Sequence, residues 1–187
     1  MRSRDPQAVQ VDGDTIGNAL EVSARVDKQA LTIVSPDMGR VRVADVWSDR
    51  MGAPLAIVHK RRDPNVPNKV QVHEIVGSEH VEGRHCLLID DMIDTAGTIV
   101  QAAEALKAQG AATILVAATH AILSGPAVQR LTDSPIDEVV VTNTLPITPD
   151  KQFERLTILS IAPLLARAIR EIFDDGSVTS LFEPHSG

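Results

Sequence analysis

Short apolar runs alternate with helix-patterned stretches along this chain, and that alternation restricts the fold more than any other property of the sequence. Runs at 31–35, 55–59, 71–76, 85–90, 113–119, 138–142 and 156–159 predict strands. Stretches at 15–26, 41–51, 97–109, 126–131 and 162–173 predict helices. The run 86–89, Cys-Leu-Leu-Ile, lacks polar alternation, as expected of a strand covered on both faces of a parallel sheet. Such strands separated by helices give an α/β fold with a mostly parallel sheet flanked by helices. With 187 residues the chain can build one sizeable core but not two large domains.

The segment 84–98 carries the chemistry. Its apolar strand delivers two adjacent carboxylates, Asp90 and Asp91, and runs on into Asp94, Thr95, Ala96, Gly97 and Thr98 ahead of a helix whose apolar positions are Ile99, Val100, Ala103 and Leu106. Free N–H groups at a helix N-terminus form an anion site, and hydroxyls with a small-residue turn let a phosphate approach the backbone. Carboxylates repel phosphate, so Asp90 and Asp91 need another partner, either vicinal sugar hydroxyls or Mg²⁺ held directly or through water. A phosphorylated sugar satisfies both halves of the segment. The plainer reading is an acidic turn in which Asp94 or Thr95 caps the helix, and each short element alone is common enough to fit it.

The ordered string 87–98, Leu-Leu-Ile-Asp-Asp-Met-Ile-Asp-Thr-Ala-Gly-Thr, resembles the phosphoribosyl-diphosphate loop of the type I phosphoribosyltransferase fold. Five further segments make the chain similar to the ribose-phosphate diphosphokinase family. They are 34–44 (Val-Ser-Pro-Asp-Met-Gly-Arg-Val-Arg-Val-Ala), 59–64 (His-Lys-Arg-Arg-Asp-Pro), 118–126, 141–146 and 159–165. The similarity runs from about Leu31 to Phe182.

The resemblance implies a type I phosphoribosyltransferase-like sheet and transfer of the diphosphoryl group of ATP to ribose 5-phosphate with Mg²⁺ as cofactor. It assigns Lys60 and Arg62 as the catalytic cations of a loop rich in charge and proline, with Arg61 less important and Arg62 also in reach of the sugar phosphate. It assigns Asp90 and Asp91 to the ribose and metal, and Asp94, Thr95, Ala96, Gly97 and Thr98 to the 5-phosphate. Asp37, Met38, Gly39 and Arg40 form its diphosphate loop, with Asp37 near the metal and Gly39 expected in a turn conformation that most residues avoid. Where relatives often have Ala-Gly-Gly, this chain has Met38, Gly39 and Arg40. The tail 176–182 resembles a segment that helps bind regulatory phosphate or ADP at subunit contacts.

Relatives usually carry a further domain ahead of the strand at 31–35, so residues 1–30 are expected to be its remnant and 31–187 the phosphoribosyltransferase-like domain with a regulatory-type tail. Two alternatives to the synthetase reading follow. One is a sugar-phosphate-binding subunit associated with a full-length relative, in place of an active homo-oligomer; the other is a phosphoribosyltransferase acting on a base.

Charge and composition exclude other classes. A net charge of −7 argues against a nucleic-acid partner, and with 43% hydrophobic and 23% charged residues the chain reads as a globular protein. No apolar run is long enough to cross a bilayer, and the basic start at 1–6 has no apolar stretch behind it, so no membrane partner and a cytoplasmic location are expected. The single cysteine, Cys86, falls in a core strand and is expected to be unreactive. His120 reads as a packed histidine, and 124–126, Ser-Gly-Pro, as a helix start.

Overall fold

The computed structural model describes residues 30–61 and 72–181; the expected helix at 15–26, Arg62 and most of its loop, Gln71 and Phe182 lie outside the described residues. Seven strands form one sheet: β1 (Leu31–Ser35), β2 (Leu55–Arg61), β3 (Val72–Val76), β4 (His85–Ile93), β5 (Thr113–Ala121), β6 (Glu138–Thr142) and β7 (Leu156–Leu159). Their order across the sheet is β3-β2-β1-β4-β5-β6-β7, and every neighbouring pair is parallel except β2 with β3. Four helices connect or follow them: α1 (Val41–Met51), α2 (Gly97–Ala108), α3 (Ala127–Asp133) and α4 (Ala162–Phe173).

The two faces of the sheet are sorted by the period-2 alternation of each strand. Cys86, Leu88, Ile114, Val116, Val139 and Val141 pack with Ile99, Ala103 and Leu106 of α2 and Leu131 of α3. Their neighbours Leu87, Ile89, Leu115 and Ala117 join Leu31 and Ile33 in a second cluster with Ala44 and Trp47 of α1. The continuous apolar run of β4 is therefore needed by both layers, which explains its lack of alternation. Burial takes the thiol of Cys86 out of water and pushes its pKa up to about 11, so it stays protonated at neutral pH. α4 is different. None of its residues is buried, Leu165, Ile169, Ile172 and Phe173 form an exposed apolar stripe, and the helix packs chiefly against the terminal turn Val178–Leu181.

The sequence expectations hold for element type throughout the described residues and fail at two informative places. β4 does not stop at Asp90 but continues to Ile93, because Asp90, Met92 and Ile93 still pair with Ala118, His120 and Ala121 of an equally lengthened β5. The carboxylate pair thus sits on a held strand and not on a free lip. Gly39 does not take the left-handed conformation expected of it; what it supplies is space, since a Cβ there would come within 3.1 Å of Asp37 Oδ1. The conformational demand falls instead on Gly77, where β3 ends.

Gly77 has φ of 79°, and a Cβ on it would stand 2.7 Å from the Leu55 carbonyl oxygen at the start of β2. Neither partner is the end of a flexible side chain, so the backbone itself must move. Gly77→Ala is expected to cost about 2 kcal/mol from left-handed strain and overpacking combined. A lowered urea midpoint with an unchanged slope is the corresponding observation.

Candidate functional site

In a parallel sheet the carboxyl ends of the strands share one edge, and ligands of open α/β sheets bind there. β1, β2, β4, β5 and β6 all run in the same direction, so the turn after β1, the end of β2 and the acidic part of β4 are gathered at that edge. Val34 is level with Leu88, which carries Asp90 and Asp91 just past the end of β1 and beside the turn that follows it.

That turn is tied down locally. Ser35 Oγ donates to the Asp37 carbonyl at 2.7 Å, and the Gly39 N–H donates to Asp37 Oδ1 at 2.7 Å. Arg40 then opens α1 without a side-chain cap, so neither Ser35 nor Asp37 caps the helix. The Arg40 side chain instead crosses to β4, where Nε lies 3.2 Å from Asp90 Oδ1 and Nη2 lies 2.6 Å from Asp91 Oδ2. Two segments with β2 and β3 between them in sequence, the expected diphosphate loop and the expected ribose carboxylates, are in direct contact.

Within the pair the two carboxylates differ. Asp90 is the more enclosed, with 12% of its side chain exposed against 37% for Asp91, and its Oδ1 also accepts the Asp91 N–H at 2.8 Å. Burial raises the Asp90 pKa to about 6, with the neighbouring Asp91 charge adding to the rise and Arg40 opposing it. Asp91 Oδ1 is buried without a hydrogen-bond partner among the described residues.

A carboxyl whose folded pKa lies above its unfolded value lowers stability as the pH rises, because the folded state holds its proton more tightly. The cost of ionising Asp90 is absent only below about pH 3 and complete above about pH 7. Asp90→Asn is therefore expected to be more stable than the parent chain by about 1–2 kcal/mol near pH 8, with the gain shrinking to nothing at about pH 3. Denaturant titrations at the two pH values measure it, and an equal difference at both would remove ionisation as the cause.

The expected phosphate loop lies directly after β4. Ala96 is in the left-handed region with φ of 61°, buried at 4% exposure, and α2 begins at Gly97 with no side-chain cap. Asp94 and Thr95 are thus not caps, and the first N–H groups of α2 have no intrahelical acceptor. Gly97 itself has ordinary backbone angles, and a Cβ placed on it would make ordinary contact with Arg130 Nη1 at 3.6 Å and Thr95 Oγ1 at 3.9 Å. The unusual conformation sits on alanine, where sequence reasoning looks for glycine. A second one sits on Leu123, with φ of 49°, in the facing turn after β5. Residues held in that region against their preference persist where the surroundings over-determine them.

Those surroundings come from segments the sequence did not single out for this role. Ser124 donates its hydroxyl to Asp94 Oδ1 and its N–H to the Asp94 carbonyl, the latter at 3.0 Å. Leu123 N–H donates to the Ile93 carbonyl at 3.0 Å, and Arg130 Nη1 of α3 donates to the Thr95 carbonyl at 2.9 Å. The loop is braced from one side by the β5–α3 connection. His120 is part of the same wall, with Nδ1 2.9 Å from Thr144 Oγ1, in agreement with a packed histidine.

Lys60 belongs to β2 by its backbone, where it pairs with His73, and so lies on the strand that ends at the ligand-binding edge. Its side chain, like all of Arg62, lies outside the described residues. The structure therefore brings together Asp37, Arg40, Asp90, Asp91 and the loop 94–98. As for a metal, no cluster of three acidic or histidine ligands occurs among the described residues. Mg²⁺ does not need one, since it is commonly bound through one or two carboxylates plus substrate phosphates and retained waters. The oxygen donors of Asp37, Asp90 and Asp91 fit it in kind.

The chain as a whole is similar to known proteins. The chain is 62% identical over 162 residues to a ribose-phosphate pyrophosphokinase of Streptomyces coelicolor, a match covering 87% of this chain and 49% of the relative. The solved phosphoribosylpyrophosphate synthetase of Mycobacterium smegmatis superposes with a TM-score of 0.74 at 49% identity, over 86% of this chain and 49% of that one. The chain spans about half the length of the relatives it matches. An adenine phosphoribosyltransferase shares the fold alone, with a TM-score of 0.52 at 17% identity over 68% of this chain and 75% of its own. The sheet is accordingly of the type I phosphoribosyltransferase kind. Residues 64–183, well over half the chain and inclusive of the acidic strand, the loop and the turn that braces it, match the family described as the phosphoribosyl synthetase-associated domain, and the chain belongs to that family.

Proposed function

We propose that this chain takes part in making phosphoribosyl diphosphate, by transfer of the β,γ-diphosphoryl group of ATP to the C1 hydroxyl of ribose 5-phosphate with release of AMP. The observation that carries this reading is the contact of the β1–α1 turn with the acidic pair of β4, immediately before a loop that ends at an open helix N-terminus. An acceptor pair for a sugar diol and a donor cradle for a phosphate then lie one after the other on the chain, in the order in which ribose 5-phosphate presents its groups. The high identity to proteins named ribose-phosphate pyrophosphokinase supports the same reading.

In this assignment Asp90 and Asp91 accept hydrogen bonds from the ribose hydroxyls, and the N–H groups and hydroxyls of 94–98 hold the 5-phosphate. The turn 37–40 receives the diphosphoryl group. Lys60 and Arg62 offset the charge that develops on its equatorial oxygens. Asp37 would hold Mg²⁺ together with the phosphates, and the ion would supply charge neutralisation on the transferring group. Regulation by phosphate or ADP through the tail 176–182, and assembly as a homo-oligomer or with a longer relative, belong to the same proposal.

The test is ribose 5-phosphate-dependent release of AMP from ATP by the purified chain in Mg²⁺ and phosphate. Release is expected only when both substrates are present. Binding of ribose 5-phosphate without release would replace the enzyme with a sugar-phosphate-binding subunit, and diphosphate release from phosphoribosyl diphosphate with a purine or pyrimidine base would replace it with a phosphoribosyltransferase.

A further inference from the structure

Arg40 holds one oxygen of each carboxylate that the sugar is assigned to use. Its Nε and Nη2 straddle the acidic pair, one on Asp90 Oδ1 and the other on Asp91 Oδ2. Asp90 Oδ1 already accepts the Asp91 N–H as well, so little acceptor capacity is left there for a hydroxyl. The remaining Asp91 oxygen, Oδ1, is buried and without a partner among the described residues, an acceptor left unused while Arg40 holds its twin. A guanidinium is planar and spans two carboxylates in a fixed fork, so one side chain takes an acceptor oxygen from each. Arg40 is also the residue that joins the turn to the first turn of α1, with its carbonyl accepting from Val43 and Ala44 at 3.0 and 3.1 Å. Its backbone is therefore anchored while its side chain, 36% exposed, is free to leave.

On these grounds we propose that Arg40 is a latch: in the free protein it closes the Asp90–Asp91 pair, and an incoming sugar diol must displace it, which turns the guanidinium toward the diphosphoryl end of the site. The proposal rests on the sugar-phosphate assignment and adds to it an internal competitor. Displacement costs the ion pairs but returns a cation to the turn that meets the second substrate. Binding of the sugar thereby prepares the site for the diphosphoryl group.

The consequence runs against the usual outcome of removing a positive charge from a phosphate-binding protein. Arg40→Met keeps the aliphatic stem and deletes the fork, and it is expected to bind ribose 5-phosphate about threefold to tenfold more tightly than the parent chain in the absence of nucleotide. The advantage should shrink toward onefold as salt is raised, because partly exposed ion pairs are screened. Arg40→Lys, which retains charge but not the fork, should fall between the two. Titration calorimetry with ribose 5-phosphate at low and high ionic strength measures all three chains. Weaker or unchanged binding by Arg40→Met would overturn the latch while leaving the sugar site in place, and absence of binding by every one of the folded chains would overturn the sugar-phosphate assignment itself.

Discussion

Lys60→Ala is expected to reduce ribose 5-phosphate-dependent AMP release by a factor on the order of 10²–10³ while leaving the affinity for ribose 5-phosphate within about twofold. The split follows from where the residue sits. Lys60 lies near the carboxyl end of β2, on the far side of β1 from the β4 loop that is assigned the sugar and its phosphate. A cation on that strand can meet charge that appears during transfer without being part of the ground-state sugar site. Interactions made only in the transition state lower turnover and specificity together when they are lost, whereas loss of ground-state binding raises KM alone. Single-turnover release of AMP, with calorimetry of ribose 5-phosphate alongside, separates the two. A variant with full turnover would remove Lys60 from the chemistry, and one with abolished sugar affinity would move it into the sugar site.

The elements were legible because their causes are local. The apolar run of β4, the helical spacing of Ile99, Ala103 and Leu106, and the turn residues between them each act over a few neighbours, and the structure keeps all of them. The loop 94–98 was legible for the same reason. What could not be read were features produced by pairing across the sheet. β4 reaches Ile93 because β5 reaches Ala121, and no property of either segment alone announces that extension. Ala96 and Leu123 adopt left-handed backbones because the β4 loop and the β5–α3 turn hydrogen-bond to each other, although neither residue type favours that conformation. Gly39 is the converse, a glycine in a turn that is present for the room it leaves beside Asp37. The contact of Arg40 with Asp90 and Asp91 had the weakest signal in sequence, a single cation at the end of a turn. Its meaning depends on β1 and β4 being neighbours.

Arg155 shows how far the support of the site extends from the site, and its removal carries the largest expected loss of stability. In sequence it is one more charge ahead of an edge strand. In the structure its guanidinium enters the end of α3, where the last carbonyls of a helix have no N–H to accept from. Nη2 donates to the carbonyls of Leu131, at 3.1 Å, and Thr132, while Nη1 donates to those of Ser134, at 3.2 Å, and Ile136. The Leu131 carbonyl keeps the Ser134 hydroxyl, at 2.7 Å, as a donor, but Ile136 is 1% exposed, so water does not readily replace the donor its carbonyl loses. The positive charge also faces the negative end of the helix dipole. Charge-assisted hydrogen bonds contribute about 1.5–3 kcal/mol each, but four from one group are not additive, and Arg155→Ala is expected to cost about 3 kcal/mol in all. Arg155→Lys should recover less than half of that, because a single ammonium cannot reach carbonyls on two sides of the turn. Arg130 on α3 and Ser124 just before it brace the loop 94–98, so loosening α3 should also increase amide exchange at Thr95 to Thr98 before global unfolding. Urea unfolding and hydrogen exchange of the two variants measure the two effects, and a loss of stability without faster exchange in the loop would uncouple α3 from the site.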